Sequence, residues 1–288
     1  MAALWRDRPV GLVGLGLIGG SLGLDLQAAG AEVRAWVHRP QTAERARERG
    51  LAQRVSTEAA VLQDCGLVVL ALPLDRLLAP APELVQALPG DAVVSDVGSV
   101  KAPVVAVWTP LAPRFVGGHP MAGTARAGVE AGERGLFRGR PWVTTPTRET
   151  APEALEAVRQ LAEAVGSPAL SCAAEAHDRA VALISHLPVV VSAALIAAAD
   201  RGASGEEERE LVRTLASSGF ADTSRVGGGN PELGALMARH NQPALRAALA
   251  AYRNALDDLD ALVEAGNWAG LRQRLEHCQT LRPGFLKD

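Results

Sequence analysis

Over the first half of the chain, short apolar runs alternate with stretches whose apolar residues recur at helical spacing. The runs "VGLVG" (10–14), "EVRAWV" (32–37), "GLVVLAL" (66–72), "AVVSDV" (92–97) and "RFVGG" (114–118) predict strands. Between them "GSLGLDLQAAG" and "TAERARERG" predict helices. This alternation predicts βαβ units, and so an α/β domain whose mainly parallel sheet carries helices on both faces. "TPTRETAPEALEAVRQLAEAVG" holds a helix start, with Thr150 as N-cap, Pro152 in the first turn and Glu153 completing a capping box. "ALSC" (169–172) predicts one last strand. Beyond Cys172 the strand signal stops. Alanine- and leucine-rich helical stretches follow, broken at "RGASGEEE", "SSGF", "VGGGNP" and "NQP". The expected organisation is therefore an α/β domain over residues 1–172 and an all-α domain over 173–288. "VVVSAALIAAA" is apolar almost all round, and such a helix needs burial on most sides. A small helical domain cannot cover it alone, so a homodimer through that domain is expected. Asn230 is expected to cap a further helix, with Pro231 in its first position.

Composition narrows the functional classes. The 288 residues are 48% hydrophobic and 21% charged, with a net charge of −3, so nucleic-acid binding is not expected. The only lysines are Lys101 and Lys287, against a large excess of arginine. Cys65, Cys172 and Cys278 lie far apart, without metal-ligand spacing, and their odd number argues against a disulfide framework. The first ten residues, "MAALWRDRPV", lack the apolar run of a signal peptide. The apolar stretch 179–199 is interrupted by His186 and Pro188, so no membrane span is expected and a cytoplasmic location is. Trp5, Trp36, Trp108 and Trp142 read as packing residues.

"GLGLIG", Gly14 to Gly19, follows the first strand and opens a helix. It fits the G-x-G-x-x-G fingerprint of a dinucleotide-binding (Rossmann) domain. Gly14 permits the tight turn, Gly16 lets the backbone approach a pyrophosphate, and Gly19 allows close helix–strand packing. Leu17 and Ile18 sit inside the loop, and Leu72 and Pro73 end the third strand, so both pairs are expected to line the cofactor. The end of the second strand selects the dinucleotide. An NAD enzyme carries Asp or Glu there, for the ribose 2′-hydroxyl. Here Val37 stands in that place, followed by His38 and Arg39, which suit a 2′-phosphate. NADP is expected, with NAD less favoured.

Two segments fall just past strand ends, where ligands of open α/β sheets sit. "SDVGSVK" supplies Ser99 and "GGHPMAGT" supplies His119. The serine hydroxyl on one ring nitrogen would fix the imidazole tautomer, and the other nitrogen could take a proton from a substrate hydroxyl as hydride leaves. A metal held by His119, His177 and His186 is not expected. On one straight helix the nine-residue offset puts His177 and His186 on opposite faces.

Together "VGLGLIGGSL", "DVGSVK", "GGHPMAGT", "HDRAVALISHLPVVVSAAL" and "SSGFADTSRVGGGNPEL" resemble the prephenate/arogenate dehydrogenase family of tyrosine biosynthesis, over almost the whole chain and in the family's order. The resemblance implies a nucleotide-binding domain, a helical dimerisation domain and an active site between them. It implies that His119 engages the substrate's ring hydroxyl, that Ser99 bonds His119 beside the nicotinamide, and that Arg225 of "DTSR" binds a substrate carboxylate. Thr124 is expected at the substrate too. Loss of hydride and carbon dioxide from such a cyclohexadienol restores an aromatic ring, so no metal or Schiff base is required. Relatives that use prephenate often resemble "HPxAGTE" and "SHLPH", whereas this chain has Ala125 and Val189, which implies arogenate. Asp178 is the nearest candidate for the arogenate ammonium. His177 and Asp178 are read either as a cap and surface pair or as a border of the site, and His186 either as a buried, hydrogen-bonded structural histidine or as a residue that helps position the site. Two rivals share the fold plan: a β-hydroxyacid dehydrogenase or imine reductase, and a dinucleotide sensor without catalysis. Neither needs "GGHPMAGT" or "DTSR".

Overall fold

The computed structural model describes residues 7–124 and 126–286. Trp5, Ala125 and Lys287, named above, lie outside the described residues. Eight strands form one sheet: β1 (Val10–Val13), β2 (Val33–Trp36), β3 (Arg54–Ser56), β4 (Leu67–Leu70), β5 (Val93–Asp96), β6 (Phe115–Pro120), β7 (Trp142–Thr145) and β8 (Ala169–Ser171). Their order is β3-β2-β1-β4-β5-β6-β7-β8. Every neighbouring pair is parallel except β6 with β7, where His119 stands opposite Val143. The first six strands reverse their winding between β1 and β4, and the carboxyl ends of such strands flank a ligand crevice.

Both faces of the central sheet are covered, which is why β1, β4 and β5 read as nearly continuous apolar runs. On one face Leu12, Val33 and Val69 pack with Leu22, Leu26, Val158 and Leu161 of helices α1 (Leu17–Ala28) and α6 (Pro152–Ala164). On the other, Val13, Leu70 and Val94 pack with residues of α3 (Leu74–Leu78), α4 (Pro82–Ala87) and α5 (Ala102–Trp108). Trp108 is wholly buried, stacks on Phe115 at 6.0 Å and donates its indole N–H to Leu77 O at 2.8 Å. Helix α2 (Pro40–Glu48) follows β2 and has Arg39 at its N-cap.

Strands β3 and β7 are additions to the sequence reading. The first has three residues, too few to show a period, and the second lies in a segment dense in arginine and glycine. The capping box at Thr150 is a correction. Ala151 is the N-cap of α6, without a side-chain cap, while the Thr150 hydroxyl accepts the Thr147 N–H at 2.8 Å and serves the preceding turn.

After β8 the chain is helical: α7 (Ala174–Val181), a π turn (Ala182–His186), α8 (Leu187–Arg201), α9 (Glu206–Leu215), α10 (Ser218–Ser224), α11 (Pro231–His240), α12 (Gln242–Glu264) and α13 (Trp268–Leu281). Asn230 caps α11 as expected, its side-chain oxygen accepting the N–H groups of Glu232 and Leu233. Within one chain α8 buries only Ser192, and the preceding Leu183 and Ile184 are exposed. Compactness divides the chain into units 1–241 and 242–288, whereas composition divides it at 172/173. In the first unit α7 lies against α5 and β7, and α11 against α3. In the second, α12 and α13 form a helical pair. Residues Ala174–Arg201 are long and apolar enough to cross a membrane by length and composition alone. His177, Asp178 and His186 on that run are buried in polar contacts within the first unit, and a bilayer would strip those contacts away.

Candidate active site

The loop from β1 into α1 has the geometry that a pyrophosphate requires. Gly14 has φ +93°, closed to ordinary side chains, and a Cβ there would strike the Ala71 carbonyl. A Cβ on Gly19 would collide with the Gly14 carbonyl, so α1 rides directly on the turn. Gly16 differs, because nothing lies within 4 Å of where its Cβ would be. It is the N-cap of α1 and has no side-chain cap, so the N–H groups of the first turn stay available beside that open space. These residues fit a dinucleotide phosphate. Leu17 and Ile18 are partly buried at the start of α1. Leu72 and Pro73 follow β4, with Pro73 exposed. Past β2, Val37 is buried in the core while His38 and Arg39 are exposed.

A buried ion pair frames the next two strand ends. Lys101 and Asp96 are both fully buried, and the Lys101 ammonium bonds Asp96 Oδ2 and, at 2.6 Å, the Gly118 carbonyl. Asp96 also accepts the N–H groups of Gly98 at 2.7 Å and Gly118 at 3.0 Å. One carboxylate therefore joins β5, the turn bearing Ser99 and the residue before His119. Gly118 is required here, since a Cβ would stand 2.6 Å from the Asp96 carbonyl. Burial pulls the Lys101 ammonium below its ordinary range, and Asp96 opposes that shift.

His119, at the end of β6, is partly buried, and its Nδ1 lies 2.8 Å from Nε2 of His177. His177 Nδ1 in turn lies 2.8 Å from Oδ1 of Asp178. Asp178 accepts the backbone N–H groups of Lys101 (2.7 Å) and Ala102 (2.8 Å), which ties α7 to the start of α5. Asn241 donates from Nδ2 to the Asp178 carbonyl at 2.8 Å and lies 3.2 Å from His186 Nδ1. His186 Nε2 is buried with no partner among the described residues. Burial first, then His177, Lys101 and His186, hold the His119 imidazole well below the ordinary histidine range. The ring is neutral at pH 7 and can accept a proton.

Several expectations change here. The hydrogen bond expected from Ser99 to His119 is not found among the described residues, where His119 Nδ1 is paired with His177; Ser99 is partly buried in the turn between β5 and α5. His177 and Asp178 are no surface pair, being 3% and 5% exposed. Asp178, expected to partner a substrate ammonium, is buried and uses three acceptor positions within the protein, on the N–H groups of Lys101 and Ala102 and on His177 Nδ1. The opposite-face argument for His177 and His186 fails because the connecting helix is not straight: the π turn at 182–186 resets its phase. The facing ring nitrogens of His119 and His177 stand 2.8 Å apart, which is hydrogen-bond distance.

Thr124 is exposed, and its hydroxyl accepts the Arg126 N–H at 3.2 Å. Arg225 is the exposed C-cap of α10. No hydrogen bond joins either of them to His119 among the described residues. The turn carrying Arg225 is nevertheless pinned. The Ser192 hydroxyl donates to Thr223 O and accepts the Gly227 N–H, both at 2.9 Å, on either side of Arg225. Asp96, Lys101 and Asn241 were not singled out by sequence reasoning. A signal for Lys101 existed, as the only lysine before Lys287 in an arginine-rich chain.

Family models match both halves of the chain. "Prephenate dehydrogenase, nucleotide-binding domain" covers residues 22–170, and "Prephenate dehydrogenase, dimerization domain" covers 173–277. The crystal structure of Synechocystis arogenate dehydrogenase is 41% identical, with TM-score 0.83, and covers 96% of this chain and 100% of that one. Prephenate dehydrogenase from A. aeolicus, solved with hydroxyphenyl propionate and NAD+, is 28% identical with TM-score 0.89, covering 97% of this chain and 98% of that one. Cyclohexadienyl dehydrogenase of Zymomonas mobilis is 29% identical over 286 residues, 98% of this chain and 97% of that protein.

Proposed function

The chain belongs to the prephenate/arogenate dehydrogenase family, and on that premise we propose that it oxidises L-arogenate to L-tyrosine and carbon dioxide, with NADP as hydride acceptor. The observation that carries the reading is the placing of His119 at the end of β6, partnered at Nδ1 by His177 and held beside a buried ionic frame. We assign His119 as the base for the substrate's ring hydroxyl, Ser99 as its neighbour at the nicotinamide, and Arg225 and Thr124 to the substrate. Gly14, Gly16, Leu17, Ile18, Gly19, Leu72 and Pro73 are assigned to the dinucleotide.

The nicotinamide, when bound, accepts the hydride from the carbinol carbon. What the chain supplies is a proton acceptor, orientation and a cation for a carboxylate. The hydroxyl proton passes to His119 as the carbon–hydrogen bond breaks. Loss of carbon dioxide leaves its electron pair in the ring as a phenolate, and His119 returns the proton to that oxygen. For a substrate with an ionised ring carboxylate, the chemistry releases no net proton. His119 must therefore be neutral at the start, as its environment makes it.

Support for NADP comes from Val37, buried where an acid would hold a ribose hydroxyl, with exposed His38 and Arg39 beyond it. Support for arogenate comes from Val189, in place of a second histidine, and from the similarity to Synechocystis arogenate dehydrogenase. The helical half, matched by a dimerization-domain model, is proposed to begin near residue 173 and to pair two copies through the uncovered α8. A cytoplasmic location fits such a biosynthetic enzyme. The test is stoichiometry: arogenate and NADP with purified enzyme should yield tyrosine, carbon dioxide and reduced cofactor in equal amounts. Reduced cofactor without tyrosine would refute the reaction.

A further inference from the structure

We propose that His177 and Asp178 act on the reaction through His119, as positioning residues that determine which ring nitrogen of His119 is the base. The proposal rests on the reading of His119 as that base.

Hydrogen-bond roles can be assigned in sequence, starting from the anion. Asp178 accepts a backbone N–H on each oxygen, from Lys101 on Oδ1 and from Ala102 on Oδ2, so neither oxygen has to carry a proton. An ionised carboxylate only accepts, so the 2.8 Å contact to His177 places a proton on His177 Nδ1. A neutral imidazole protonated at Nδ1 keeps its lone pair on Nε2. That Nε2 lies 2.8 Å from His119 Nδ1, which must then be the donor. The lone pair of His119 is left on Nε2, the nitrogen not engaged by His177. The two rings meet at 71° with centroids 5.0 Å apart, so one edge addresses the other and fixes the orientation of His119.

The same chain of contacts acts again after proton transfer. Once Nε2 of His119 has taken the substrate proton, the imidazolium donates from Nδ1 to His177, and the Asp178 anion stands beyond. The anion is itself fixed by α5 backbone and, through its own carbonyl, by Asn241. If His177 were instead cationic, its Nε2 would donate to His119 Nδ1. The only proton of a neutral His119 would then sit on Nε2, and no lone pair would face the hydroxyl. The two arrangements predict opposite tautomers.

Ring 15N NMR on the selectively labelled, full-length wild-type enzyme near neutral pH distinguishes them. The expected spectrum shows His119 protonated at Nδ1 and bare at Nε2; protonation at Nε2 overturns the proposal. Two substitutions extend the test. His177→Gln keeps an acceptor for Nδ1, while His177→Phe keeps bulk and removes it. His177→Phe should lower kcat by about 10- to 100-fold with little change in KM, and His177→Gln should recover most of that loss. Equal kcat for the two variants, or a change confined to KM, would count against the assignment. Should His177→Phe not fold, the wild-type spectrum decides alone. An enzyme inactive with arogenate but protonated at His119 Nδ1 refutes the substrate reading only. An enzyme active with arogenate but protonated at Nε2 refutes only the relay.

Discussion

Replacing Lys101 by Met keeps an unbranched side chain one atom shorter and removes its charge from a site with no solvent access. Asp96 then stays behind as a buried anion that has lost its cation, and the Gly118 carbonyl loses its donor. Removing one partner of a buried ion pair costs about 3–5 kcal/mol. Asp96 retains the N–H groups of Gly98 and Gly118, which places the expectation at the lower end, about 3 kcal/mol. For a unit of this size about 2 °C of melting temperature corresponds to 1 kcal/mol, so the midpoint should fall by roughly 6 °C. Thermal unfolding of wild type, Lys101→Met and the double variant Lys101→Met/Asp96→Asn measures this directly. The double variant should recover part of the loss, because it removes the stranded charge. Kinetics give an independent readout. Lys101 is one of the groups that disfavour the His119 imidazolium, with His177 and His186 remaining in the variant. Its removal should raise the His119 pKa and move the acid limb of the kcat/KM profile to higher pH. A single variant as stable as wild type, with an unmoved acid limb, would refute the assigned role of the pair.

Four further outcomes are expected. Gly16→Val should cost the enzyme most of its dinucleotide affinity with little change in stability, because the added atoms enter space that is empty of protein; calorimetric titration checks this. Arg39→Ala should narrow the preference for NADP over NAD by raising the KM for NADP, by roughly tenfold if one charge-assisted contact is lost. Arg225→Ala should raise the KM for substrate by about one to two powers of ten, with a smaller loss in kcat. His119 and His186 both have depressed pKa values in the folded chain, so the unfolded chain binds their protons first. Stability is then complete above the unfolded histidine pKa, near 6.5, and declines below it, by up to about 1.4 kcal/mol per pH unit for each group. Unfolding midpoints between pH 8 and pH 5 should show that decline, reduced in His186→Asn.

What was legible in the sequence follows from how local each feature is. Strands β1, β4 and β5 are buried on both faces, so their apolar runs announce them, and Gly14 to Gly19 mark the turn by backbone requirements that only glycine meets. His119 stood out because it follows two glycines at the end of an apolar run, and the structure places it near the end of β6. Strand β3 escaped because three residues at an edge carry no period. The contact between His119 and His177 escaped for a different reason: it spans 58 residues and depends on how α7 lies against β7 and α5. The residue paired with His119 Nδ1 is His177, whose motif "HD" reads equally well as a helix-start pair. Asp96 and Lys101 lay inside the motif that drew attention to Ser99, but only the fold turns their spacing into a buried ion pair.

The claim that the enzyme makes tyrosine from arogenate is tested most directly by the ratio of kcat/KM for arogenate to kcat/KM for prephenate, measured with NADP on the wild-type protein. His119→Asn serves as the control that the measured turnover belongs to this site. The expected ratio is well above one, with a loss of turnover of about two to four powers of ten in His119→Asn and dinucleotide binding retained. A ratio below one, or near-normal turnover in His119→Asn, would contradict it.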